Sequence, residues 1–192
     1  EIGSGLVGSE MCIRDRYKGF NVGMTCRGFA FREGERSEES EAQAGRCGFH
    51  SAVNPLDVLA YYPYPLKAVY YVCEASGDIS EDGSDSKVSS TELTPISRLS
   101  FEELIWHGLW YMAAHPNAPL SSRVMRNRAM CTSLAVVRGK APCGAVSEIG
   151  GVIGLAEEDK AGRVCAWRVL VCDGEAVKPG VVYNMKGVPA DE

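Results

Sequence analysis

Apolar residues along this chain repeat with two periods, and the period changes from segment to segment. Phe29 and Phe31 alternate with Ala30 and Arg32, the period-two signature of a half-buried strand. Residues 68–75, rich in Val and Tyr, predict a second strand, and residues 87–96 a further one with fewer apolar positions. Ahead of both, after the Phe29–Phe31 strand, lies a short helix. Asn54 suits its N-cap, Pro55 its first position and Asp57 a capping box, while Pro63 and Pro65 stop it after two turns. A helix this short is not stable alone, so Leu56, Leu59 and Tyr62 must pack on a neighbour, for which the strand at 68–75 is the expected choice. The strongest helical pattern opens with the capping box Ser100-Phe101-Glu102-Glu103. It places Phe101, Leu104, Ile105, Leu109 and Met112 on one face and ends at His115-Pro116.

Elsewhere the pattern is polar or broken. The acidic run at 33–43 reads as a solvated hairpin loop, and 78–86 as a turn-rich loop. From 117 to 143 neither period holds, but Ala129, Ala135 and Ala141 recur at every sixth residue, a hint of one or two degenerate turns of a β-solenoid. The tail predicts strands at 152–155, 163–172 and 181–185, with Asp173-Gly174 as a hairpin turn. The expected fold class is α+β. It comprises a strand-rich N-terminal domain over 17–99 with the short capped helix, and a longer amphipathic connecting helix over 100–116. A degenerate repeat or linker over 117–143 and a C-terminal antiparallel β module over 144–192 complete it.

Composition narrows the function classes. The chain has 192 residues, the length of one domain or two small lobes, and a formal net charge of −5. That balance gives a nucleic-acid partner no electrostatic footprint. No run approaches the roughly 20 apolar residues of a membrane span, so no membrane partner is expected. With Cys12 set aside, the cysteines are odd in number, scattered and without a C-x-x-C pair. This is neither a disulfide framework nor a zinc ribbon, and it points to reduced thiols in the cytoplasm. The G-x-G-x-x-G string from Gly3 to Gly8 follows a single apolar Ile2 and lacks the strand that a dinucleotide fingerprint needs. Neither a nucleophile elbow nor a P-loop is present. Asp78-x-Ser80-x-Asp82-Gly83 imitates the front of a calcium loop, but Ser89 stands where the bidentate Glu is required. No two histidines have metal-ligand spacing, so neither a metal nor a resident cofactor is expected.

Two resemblances add to this. Residues 6–16 read L-V-G-S-E-M-C-I-R-D-R, which resembles the translation of a sequencing adapter; residues 1–16 are on that basis expected to be adapter-derived, with native folding information starting at Tyr17 and the native N-terminus missing. From there, Tyr17-Lys18-Gly19-Phe20, Cys26-Arg27-Gly28-Phe29, Gly48-Phe49-His50, Pro55-Leu56-Asp57-Val58 and Tyr61-Tyr62-Pro63 resemble, in order and spacing, the N-terminal domain of a bacteriophage and prophage family of unknown function. The resemblance implies a helix leading into small-residue repeats like a β-solenoid, then a C-terminal β module. It supplies no established activity. It suggests a cytoplasmic or virion-associated protein whose partners are its own copies or phage structural proteins.

Two readings of function remain. His50 can serve as a general base or ligand, because imidazole titrates near neutral pH, or it can tie a loop to the backbone beside the short helix. Tyr17-x-Gly19, Arg27-Gly28-Phe29, Gly48-Phe49-His50 and Tyr61-Tyr62 also resemble ADP-ribosyltransferase-like domains. That resemblance implies NAD gripped by Arg27 and His50, an aromatic role for Tyr62, and Glu74 or Glu92 as the carboxylate that stabilises developing positive charge. Neither glutamate lies in a matching motif. The other reading is a non-enzymatic binding or structural protein with no cofactor. The residues favour it, because no catalytic set converges in the sequence.

Overall fold

The computed structural model describes residues 15–63, 68–81, 83 and 86–190. Its N-terminal half contains strands β1 (Asp15–Asn21), β2 (Thr25–Cys26), β3 (Phe29–Ala30), β4 (Ser37–Glu38), β5 (Phe49–Ala52), β6 (Ala68–Glu81) and β7 (Lys87–Leu99). All pairings among them are antiparallel. β1 pairs with β6 along its length and with β5 at Tyr17 and Ala52; β7 pairs with β6 on one side and β5 on the other. The four strands therefore close a ring, a small barrel in which these strands have partners on both sides. Its interior holds Phe20, Phe31, Phe49, Tyr71, Cys73, Ala75 and Leu93.

Strand β1 begins two residues before Tyr17. Asp15 and Arg16, expected to belong to the adapter-derived peptide, sit opposite Glu74 and Cys73 in the β1–β6 ladder. The rest of that peptide, with its glycine string, lies outside the described residues. The acidic run is also more ordered than a solvated loop: β4 pairs with β7 at Leu93 and Glu92, beyond the end of β5. Residues 78–81, read as loop, continue β6.

The short helix is a 3₁₀ turn, Pro55–Ala60, capped by the Asn54 side chain, which accepts from the Leu56 N–H. Asp57 closes no capping box and instead accepts the Ser86 hydroxyl. The Tyr70 hydroxyl of the strand expected as partner donates to the Tyr62 carbonyl, and Leu56 shares the core of Tyr70. Leu56 also fills a notch in helix α1 (Phe101–Ala114), where a Cβ on Gly108 would lie 2.5 Å from its Cγ. The face of β6 that carries Tyr70 joins the same core, and α1 already covers it. α1 has the expected Ser100–Glu103 capping box, and Leu104, Ile105, Leu109 and Met112 are buried.

The C-terminal half opens with parallel strands, ahead of the antiparallel pairings expected over 144–192. Strands β8 (Val124–Cys131), β9 (Leu134–Val146) and β10 (Val152–Glu158) run parallel, with Val124 beside Val136 and Val136 beside Gly154. Only residues 132–133 join β8 to β9. An ordinary parallel crossover needs a dozen residues or more, so the chain coils upon itself in the manner of a solenoid. Ala129 and Ala135 fill its interior, but Ala141 is exposed. Between the paired Arg138 and Cys143, residues 139–142 of β9 stand opposite the single Asn127 of β8, a register shift that ends the six-residue spacing. Strand β11 (Val164–Val171) returns antiparallel to β10, and β12 (Tyr183–Asn184) pairs antiparallel with β9. The hairpin turn lies at 159–163, where the Asp159 carboxylate accepts from the N–H groups of Ala161 and Arg163. Asp173-Gly174 joins no two strands; Asp173 caps the N–H groups of Glu175 and Val177.

α1 lies between the two halves. Leu56 packs on it from the barrel side, and Ile105 reaches Gly154 of β10 on the other. Among the described residues, no helix is long and apolar enough to cross a membrane.

Candidate functional site

The pleat of β1 divides its side chains between two environments. Tyr17 and Gly19 point toward α1 and the 3₁₀ turn: the Tyr17 hydroxyl is hydrogen-bonded to His107 Nδ1 at 2.9 Å, and Gly19 lies under the Tyr62 ring. Lys18 and Phe20 point the other way, into the barrel. The Lys18 ammonium lies 5.5 Å from the Phe20 ring centroid and 5.7 Å from that of Phe31.

A cavity of about 710 Å³ opens at this end of the barrel. Its walls include Phe29, Phe49, Tyr61 and Tyr62; its basic residues are Lys18, Arg27, Arg46 and Lys87. Glu39 is the one acidic residue lining it among the described residues. The size falls in the range of small-molecule sites, roughly 300–1,000 Å³.

Local sequence explains how these groups arrive. Cys26 and Phe29 face each other across β2 and β3, so Arg27-Gly28 forms a two-residue hairpin turn with both residues at positive φ, 49° and 85°. Such turns match the twist of the flanking strands, and this one places Arg27 at its tip. Gly48, at φ 82°, admits no side chain either, because a Cβ would meet Ser89 Oγ at 2.6 Å. The tight packing there carries the chain into Phe49-His50-Ser51. Tyr62, after the 3₁₀ turn, donates its hydroxyl to Cys26 Sγ at 3.1 Å, and burial foremost raises its pKa.

Arg27, His50 and Tyr62, singled out from sequence, therefore line one cavity. Glu74 and Glu92 do not. Glu74 lies in the β1–β6–β7 ladder opposite Asp15 and Thr94. Glu92 accepts from Ser76 Oγ at 2.6 Å and pairs with Arg36 at 3.4 Å.

His50 is a clasp in this geometry. Its Nε2 accepts the Gly45 N–H at 3.0 Å, and its carbonyl accepts Lys18 Nζ at 2.5 Å. Burial first, then the charges of Lys18, Arg27 and Lys87, lower its pKa, so the ring is held neutral with Nε2 as acceptor. This matches the loop-tying reading of His50.

Sequence reasoning overlooked Lys18, Ser51 and Glu39. Lys18 is 5% exposed, and no carboxylate among the described residues pairs with it. Its position was readable: in Tyr17-Lys18-Gly19-Phe20, a lysine two places from a core Phe shares its face. Ser51 is equally buried, and its Oγ has no hydrogen-bond partner among the described residues. Glu39 carried no signal beyond its place in an acidic run. Cys26 and Cys47 both line the cavity as free thiols; Cys73, in the barrel interior, has its thiol pKa pushed up to about 12 by burial.

Residues 15–107 match DUF7666, a domain of unknown function. The DUF7666 match starts at the first residue of β1 and ends at His107, the partner of Tyr17. It thus takes in the whole barrel, the cavity and the first half of α1, and it stops before the coil. No curated protein and no solved structure matches the chain.

Proposed function

We propose that this chain is a binding protein rather than a catalyst, and that the mouth of its barrel takes up a small anionic molecule. The observation that carries the reading is Lys18, a buried ammonium without an acidic partner among the described residues, at the base of a cavity that also exposes Arg27, Arg46 and Lys87. A buried charge is costly unless paired, and an anion entering the cavity supplies the missing counter-charge. The unpartnered Ser51 hydroxyl adds a hydrogen bond, and the aromatic walls suit a ligand with an apolar or planar part. The phage-associated role suggested by the sequence belongs to the same proposal, with the barrel as the part that reads a ligand.

Thermal unfolding with and without inorganic phosphate or AMP tests this. Ligand at 100 times its Kd stabilises by about 2.7 kcal/mol, a Tm rise of about 5–10 °C for a chain this long. The rise shrinks at high ionic strength and is lost in Arg27→Ala. No shift with any anion, at a salt concentration low enough to leave charges unscreened, contradicts the reading.

A second reading draws on one observation, the shared cavity of Arg27, His50 and Tyr62: an ADP-ribosyltransferase-like use of NAD. Glu74 and Glu92 lie elsewhere, so Glu39 is the carboxylate to examine. NAD consumption by the purified chain, abolished in Glu39→Gln, supports it. NAD that binds without turnover returns the protein to the first reading.

A further inference from the structure

We propose that Lys18 captures an anionic aldehyde or ketone as an imine, with the ligand's negative group held by Arg27, Arg46 and Lys87 at the mouth of the cavity. The inference rests on the anion-binding reading and adds covalent chemistry to it. Lys18 lines the cavity although only 5% of it is exposed. Its surroundings are the Phe20 and Phe31 rings, the His50 carbonyl and the thiols of Cys26 and Cys73, none of which carries a fixed negative charge. An ammonium in such a place is relieved either by an arriving anion or by losing its proton. Burial lowers its pKa, the Arg27 charge acts in the same direction, and the two thiols oppose them. A desolvated lysine beside another cation is the setting in which this side chain serves as an amine nucleophile.

The chemistry balances without a further reactant. The neutral amine adds to the carbonyl carbon and forms a C–N bond, while the C=O π pair becomes a hydroxyl that takes one amine proton. That hydroxyl then leaves with the second amine proton as water, and a C=N bond remains. Ser51 Oγ, buried in the same cavity wall and lacking a partner among the described residues, offers a hydrogen bond to the ligand's oxygen. The guanidinium and ammonium groups at the mouth select carbonyl compounds that bear a carboxylate or phosphate.

The test incubates the full chain with glyoxylate, an aldehyde with one carboxylate, and cyanoborohydride, which delivers hydride to the imine and fixes it as a carboxymethyl amine. Peptide mapping by mass spectrometry then reads the occupancy of each lysine. Lys18 is expected to label at least about tenfold faster at neutral pH than the exposed Lys140 and Lys160, because burial leaves more of it as the neutral amine. Added inorganic phosphate slows Lys18 and leaves Lys140 unchanged. Labelling confined to surface lysines, while phosphate still raises the Tm, overturns the imine and leaves the anion-binding reading standing. Loss of both the Lys18 label and the Tm shift removes the two together.

Discussion

Gly19 bears no side chain because the Tyr62 ring occupies that space: a Cβ there would lie 2.4 Å from Tyr62 Cγ. Gly19→Ala must displace the ring from its bond to Cys26, at an overpacking cost of about 1–3 kcal/mol by denaturant titration. An unchanged midpoint would show the ring to be loosely held. The histidines make a second residue-scale prediction. His50 and His107 both have lowered pKa values, burial being the main cause in each. Their folded values thus lie below the unfolded value of about 6.5. At higher pH both are neutral in either state and stability is unaffected; as pH falls below about 6.5 the unfolded chain binds protons first, and stability drops. A His50→Asn, His107→Asn variant is expected to show a flatter Tm profile between about pH 6.5 and 5, which differential scanning fluorimetry reads directly. The three candidate residues that share the cavity were visible in sequence because each sits in a Gly-flanked or aromatic motif. The missing carboxylate was not, because nothing local distinguishes Glu39 from its acidic neighbours.

At the level of elements, cap chemistry and apolar spacing located both helical segments. The Ser100–Glu103 box is present as expected, and Ser100→Ala is predicted to cost about 1 kcal/mol of stability. Gly108 behaves against its propensity. Alanine normally favours a helix interior by up to about 1 kcal/mol over glycine, but here the added methyl meets the fully buried Leu56. Gly108→Ala is therefore expected to destabilise, and a stabilised variant would disprove the notch. The strands were less legible. Asp173-Gly174 has the composition of a hairpin turn, yet the chain uses it as an Asx cap, since local turn chemistry does not say which strands meet. Parallel pairing in the coil depends on partners twelve or more residues away, such as Val124 with Val136, and leaves no short-range mark. Arg126 and Arg138 stand side by side in neighbouring rungs, a placement no local rule favours; Glu158 reconciles them by accepting from both.

For the molecule as a whole, the connecting helix is the shared core of two sheets. Leu56 meets it on one flank and Gly154 of β10 on the other. The helix expected as a connector over 100–116 thus packs apolar surface against both sheets. A fragment ending at residue 116 keeps the region matching DUF7666 but exposes Ile105 and Leu109, which are fully buried in the intact chain. It is predicted to bind a hydrophobic dye and to unfold with a smaller calorimetric enthalpy per residue than the full protein. Equal cooperativity would mark the barrel as self-sufficient.

The coil has a different consequence. Residues 132–133 suffice to pass from β8 to β9, whereas residues 147–151 join β9 to β10. Duplicating a turn at Thr132-Ser133 lengthens the stack by about 4.8 Å while leaving the contacts of α1 with β10 and the cavity as they are. The far end of this protein is a ruler whose graduations evolution or an engineer can add one at a time.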